Sequence, residues 1–103
     1  MLKVKNLTEI DNSISYKYIF VHTPFCGTCQ LARRMLNTIE HIWETDLFYE
    51  MNASLFPEFM MKKEIKSVPC LIIIRNGVIQ ESIYAFESVT NIYNRIKTYS
   101  DQK

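Results

Sequence analysis

Apolar positions fall into short dense runs and helical stripes along this chain, and each spacing predicts an element. Lys3 to Lys5 reads as a short edge strand. Leu7, Ile10 and Ile14 recur at helical spacing and predict one face of a short helix, closed by Asn12-Ser13 and Ser15. Tyr16 to His22 is rich in aromatic and β-branched residues, which marks a buried strand, and Pro24 stops the pattern. From Cys29 onward, Leu31, Ala32, Met35, Leu36, Ile39, Ile42 and Trp43 form one apolar stripe. Arg33, Arg34, Asn37, Glu40, His41 and Glu44 lie opposite it, which makes this the clearest helix in the chain. Asp46 falls in a turn, and Leu47 to Asn52 reads as another strand.

In the second half, Ser54 is placed to cap a third helix. Pro57 stands in its first turn, and Leu55, Phe56, Phe59, Met60 and Ile65 are its apolar positions. Lys62-Lys63-Glu64-Ile65-Lys66 reads as its solvated end, where cations suit the helix dipole. Leu71 to Ile74 is apolar at every position and predicts a strand buried on both faces. Asn76-Gly77 between two β-runs is a strong hairpin signal, with Val78 to Tyr84 as the returning strand. Ser88 is placed to cap a last helix carrying Val89, Ile92, Tyr93 and Ile96, followed by a frayed polar tail from Ser100 to Lys103. The order β-α-β-α-β-α-β-β-α predicts an α/β fold: a central mixed sheet with helices on both faces.

Composition narrows the function classes. The 103 residues suit one domain, 1–103, built on one core. Apolar residues make up 48% and charged residues 22%, the balance of an ordinary globular protein. A net charge of +1 gives no electrostatic case for nucleic acid or an acidic membrane surface. The first residues carry no apolar stretch suited to a signal peptide, and no run is long enough to span a bilayer, so the expected location is cytoplasmic. The three cysteines are an odd number, which argues against a structural disulfide framework in a reducing compartment. Cys26 and Cys29 stand two residues apart at a strand-to-helix junction. There they can exchange electrons as a dithiol, or hold a metal.

The predicted order, together with Phe25-Cys26-Gly27-Thr28-Cys29, Val68-Pro69 and the Asn76-Gly77 hairpin, resembles the thioredoxin family over nearly the whole chain. The resemblance implies a thioredoxin fold and a thiol–disulfide oxidoreductase that reduces protein disulfides, with no cofactor, as a monomer. Cys26 would be the nucleophile, its thiolate stabilised at a helix N-terminus, and Cys29 the resolving cysteine. Gly27 would allow a target backbone to approach closely. Pro69 would be cis and lie against the cysteine pair, and Val68 would offer backbone groups to a substrate strand. Phe25 and Thr28 complete the expected substrate-binding set, with Tyr84 flanking the groove. The implied partners are disulfide-containing proteins and an NADPH-dependent flavoprotein reductase.

The chain departs from the family pattern in places that bear on chemistry. Phe25 stands where Trp is usual, and Thr28 where Pro is usual. Six positions before Cys26, where thioredoxins bury an acid, stands Phe20. Glu50 on the neighbouring strand could substitute, although a strand carboxylate reads first as solvated. A protonated His22 could lower the Cys26 pKa. Cys70 follows Pro69 and is expected near the pair. It is a small buried residue, a candidate third redox thiol, or a third ligand with Cys26 and Cys29 for zinc or an iron–sulfur cluster, with His22 able to serve as a fourth. Three alternative functions follow: a redox sensor or binding protein with weak catalysis, a metal carrier, and a glutathione-coupled enzyme. The last lacks a Tyr in the motif and a recognisable glutathione pocket.

Overall fold

The computed structural model describes residues 1–11 and 13–101. Asn12, part of the expected close of the first helix, and Gln102 and Lys103 of the expected tail lie outside them. The elements run β1 (Leu2–Lys3), α1 (Thr8–Asp11), β2 (Lys17–His22), α2 (Gly27–Trp43), β3 (Phe48–Asn52), a 3₁₀ turn (Ala53–Leu55), α3 (Pro57–Lys62), β4 (Cys70–Arg75), β5 (Val78–Ile83) and α4 (Val89–Ser100). The strands form one mixed sheet in the order β1-β3-β2-β4-β5. β1, β3 and β2 are parallel neighbours, while β2–β4 and β4–β5 are antiparallel.

Strand parity divides the core in two. Tyr18 and Phe20 on β2, and Leu71 and Ile73 on β4, face α2 and α4 and meet Leu36, Ile39, Ile92 and Ile96. Ile19 and Val21, with Cys70, Ile72 and Ile74, face the other way onto Ile10 of α1 and Phe59 of α3. β2 and β4 are thus buried on both sides, and each consecutive residue from Leu71 to Ile74 is inaccessible to solvent. The hairpin turns at Asn76 (φ 52°) and Gly77 (φ 77°). Two successive positive φ angles match the strands' own twist. Ser88 caps α4, its Oγ accepting from the Asn91 amide at 3.0 Å.

Several local expectations are corrected. The edge strand is Leu2–Lys3, and Val4 and Lys5 lie beyond it. α1 is a single turn, and Ile14 lies outside it, 90% exposed. The long helix begins at Gly27, and its Leu31 and Ile42 are exposed rather than buried. Ser54 caps nothing. Asn52 instead caps the 3₁₀ turn, its Oδ1 accepting from the Ser54 amide, and α3 starts from Phe56 without a side-chain cap. α3 ends at Lys62, before Ile65. Lys63 does not end in solvent, since its Nζ donates to the Gly77 carbonyl at 2.8 Å and ties the segment after α3 to the hairpin. Ser100 belongs to α4, and its Oγ lies 3.0 Å from Tyr18 Oη.

Candidate functional site

Pro24 and Phe25 end the β2 pattern and turn the chain onto α2. Cys26 is the N-cap residue of that helix, in extended backbone, with the Cys29 amide donating to its Sγ at 3.2 Å. Thr28 Oγ1 lies 3.4 Å from the same sulfur. An N-cap sulfur therefore takes the place of the usual cap oxygen, where unpaired helix amides favour a negative charge. Cys26 and Cys29 stand at disulfide distance, with their Cα atoms 5.2 Å apart. Cys26 is half-buried, whereas Cys29 is 4% exposed and packs with the α2–α4 core. The two sulfurs thus differ in their access to solvent.

Hollows flank the pair on two sides. One, of about 350 Å³, is lined by Thr28, Leu31, Met35, Pro69, Tyr84 and Phe86 among others. The Val68–Pro69 peptide is cis. Val68 itself packs against both core clusters rather than lining this hollow. The other hollow, of about 290 Å³, is walled by His22, Phe25, Cys26, Cys29, Gln30 and Arg33 among others.

Phe25 lies at the rim, fully exposed, and its φ of 62° puts a bulky side chain in the left-handed region. Folding gains nothing from burying this ring. Gly27 is likewise not required by the fold, because a Cβ there would meet no atom within 4 Å.

Charged groups gather beside the second hollow. Glu50 Oε1 accepts from Arg33 Nη1 at 3.1 Å and lies 3.5 Å from His22 Nε2. The Glu50 carboxylate is only 14% exposed, so it is a paired group and not the solvated strand carboxylate expected from the sequence. Phe20, wholly buried, lies against both the His22 and Arg33 side chains. The His22 ring stacks on it at 5.5 Å, and the Arg33 guanidinium lies 5.3 Å from its centroid. Burial lowers the His22 pKa below its ordinary value, Arg33 and Lys3 lower it further, and Glu50 opposes them.

Cys70 stands apart from this group. Its side chain belongs to the α1–α3 face of the sheet, and that of Cys29 to the α2–α4 face. Burial pushes the Cys70 thiol up to about 11, against a lowering hydrogen bond from Tyr84. Among the described residues, no three His, Cys, Asp or Glu side chains are gathered to hold a metal.

One acid was missed altogether. Glu40, read as a solvated position of α2, is buried to 11% exposure, and its Oε2 accepts from the Leu47 and Phe48 amides at 2.8 and 3.0 Å. It pins the C-terminal half of α2 to the start of β3.

Comparison with known proteins bears on the same residues. The sequence pattern described as Thioredoxin matches residues 5–98. The chain is 37% identical over 99 residues to the thioredoxin-like protein YusE of Bacillus subtilis (strain 168), covering 96% of this chain and 92% of that one. In fold it is similar to a mutant thioredoxin from Halobacterium salinarum NRC-1, with a TM-score of 0.81 at 17% identity, covering 99% of this chain and 92% of that one.

Proposed function

The chain belongs to the thioredoxin family, and from that premise we propose that it reduces protein disulfides through the Cys26–Cys29 dithiol. Family membership and the paired sulfurs make it a thiol–disulfide oxidoreductase in general terms. The observation that carries the finer reading is the asymmetry of the pair. The half-buried Cys26 sulfur sits at the helix N-terminus, where a thiolate is favoured, and Cys29 lies one turn inward, 4% exposed.

The Cys26 thiolate attacks one sulfur of a substrate disulfide. A mixed disulfide forms, and the other substrate sulfur leaves as a thiolate. Cys29 then loses its proton and attacks Cys26 Sγ. The Cys26–Cys29 bond forms as the bond to the substrate breaks, and the released thiolate takes up a proton. Two electrons have passed to the substrate, and an NADPH-dependent flavoprotein reductase restores the dithiol. Thr28 and Pro69 wall the apolar hollow that receives the substrate, while exposed Phe25 and unobstructed Gly27 meet its backbone. Val68, before the cis peptide bond, offers its backbone groups to the substrate strand. The 103 residues act as one domain and as a monomer in the cytoplasm, and no helix among the described residues is long and apolar enough to cross a membrane.

The test is redox equilibration against graded dithiol couples, quenched by alkylation and mapped by mass spectrometry, beside a turbidity assay of insulin reduction. Closure of Cys26 with Cys29 as a two-electron couple near or below the cytosolic glutathione poise supports the reading, as does accelerated insulin reduction. A clearly more oxidising couple, or a pairing of Cys26 with Cys70, refutes it.

A further inference from the structure

Resolution of the mixed disulfide requires the Cys29 proton to leave, and the position of Cys29 makes that step difficult. The side chain is 4% exposed and packed in the α2–α4 core, where a thiolate is disfavoured. The residue at the centre of the adjoining strand is Phe20, which can accept nothing. A base must reach Cys29 from elsewhere. The hollow that Cys29 walls has two side chains with basic nitrogen on its surface, His22 and Arg33. The Arg33 guanidinium carries only donors and cannot accept.

We propose that His22, oriented by Glu50, takes the proton of Cys29 as Cys29 attacks the mixed disulfide at Cys26. This rests on the reading of Cys26–Cys29 as the redox centre.

Parity places the parts on one side of the sheet. His22 and Phe20 lie two apart on β2, and Glu50 is the register partner of Phe20 on β3. The Glu50 carboxylate near His22 Nε2 favours the tautomer protonated there, which leaves Nδ1 as the accepting nitrogen. Phe20 stacks beneath the imidazole and fixes its plane. Three charged groups act on the ring: Lys3 from β1, Glu50 from β3 and Arg33 from α2. Their sum with burial keeps His22 neutral at pH 7, the form a base requires.

The proton balance is simple. Cys29 gives its proton to His22 and its electron pair to the new bond with Cys26 Sγ. The substrate sulfur leaves with the pair of the broken bond, and the imidazolium returns its proton to that sulfur or to water. Glu50 and Arg33 are positioning residues in this step.

Stopped-flow reaction of the reduced protein with an aromatic nitrothiobenzoate disulfide reads both steps. Attack by Cys26 releases the first coloured thiolate in a concentration-dependent phase, and attack by Cys29 releases the second in a concentration-independent phase. In the wild type the second phase should slow as pH falls through the His22 pKa, below its ordinary value. In His22→Gln that phase should be about 10²-fold slower at pH 7. It should rise steadily with pH and lack the inflection, while the first phase keeps its rate. In Glu50→Gln the inflection should move to lower pH, because the lost carboxylate had favoured the imidazolium. That shift is not a consequence of loosened packing. An unchanged second phase in His22→Gln, or an inflection identical in Glu50→Gln and wild type, overturns the proposal while leaving the redox centre intact. If no first phase occurs, the redox-centre reading fails and this proposal with it.

Discussion

Above pH 9 the Cys70 thiol should begin to cost the protein stability, and the size of that cost follows from its burial. In the unfolded chain the group titrates near its ordinary value of 9.0, while in the fold burial holds it up to about 11. The folded pKa is the higher one, so the stabilisation is fully present below pH 9. It is lost as pH rises between the two values, because the unfolded state sheds a proton that the native state retains. Two units correspond to about 3 kcal/mol at most. Replacing Cys70 by Ala removes the titration at a packing cost of about 1 kcal/mol, from a small void beside Ile72 and Val21. The assay is urea unfolding of Cys70→Ala and wild type at steps from pH 8 to pH 11. The wild type should be the more stable at pH 8. The difference should shrink and then reverse by pH 11, while titrations common to both proteins cancel. Two curves that stay parallel over that range would refute the placement of Cys70. The same burial predicts that iodoacetamide at pH 7 labels Cys26 in the reduced native protein and leaves Cys70 unlabelled.

Two other substitutions test single features of the backbone. Phe25→Asn exchanges a solvent-exposed ring at φ 62° for a residue that adopts the left-handed region readily. It should raise the stability measured in urea by about 1 kcal/mol, and should slow reduction of protein disulfides more than that of a small aromatic disulfide. Gly77→Ala puts a Cβ at φ 77° and 3.4 Å from the Asp11 carbonyl. It should cost about 1–2 kcal/mol in urea unfolding without changing the redox equilibrium of the cysteine pair.

The elements legible in the sequence are those whose local signal and tertiary role agree. Apolar density placed β2 and β4, the 3.6-residue stripe placed α2, and Asn76-Gly77 placed the hairpin. Departures arise where the local pattern is incomplete, or where a partner on another element overrides it. Ile14 fits a helical stripe, but α1 ends after one turn and leaves it exposed. Ser54 is a good cap by composition, but Asn52 already bonds to its amide. Glu40 and Glu50 read as solvated because their partners lie on other elements, at Leu47 and Phe48 for one and at Arg33 for the other. The side of the sheet that Cys70 faces was hidden for a different reason. From Cys70 to Ile74 every residue is buried, so the alternation that normally reveals a strand's two faces is erased. The cysteine pair itself was legible because N-cap chemistry is local: residues 26–29 set it without long-range help.

The exchange at Phe20 links these observations. An ionised carboxylate at the centre of β2 would lie among Leu71, Phe86 and Leu36, and would need buried partners to offset its desolvation. A phenyl ring there carries no such cost, and it supplies a flat surface on which an imidazole and a guanidinium both rest. The charge is thereby moved one strand outward to Glu50, where Arg33 reaches it from α2 and His22 from the end of β2. The base proposed for the inner cysteine, walling the same hollow, is then an imidazole, whose unperturbed pKa already lies close to neutrality. A buried acid must be pushed far upward to serve as a base at pH 7, whereas a histidine needs only to be kept neutral. Partial burial, Arg33 and Lys3 lower the His22 pKa in that direction, and Glu50 opposes them. On this reading Phe20, Glu50 and His22 form one device. Restoring an acid at position 20 without removing Glu50 would place two carboxylates on adjacent register partners, so it should destabilise the fold rather than return the family's usual chemistry.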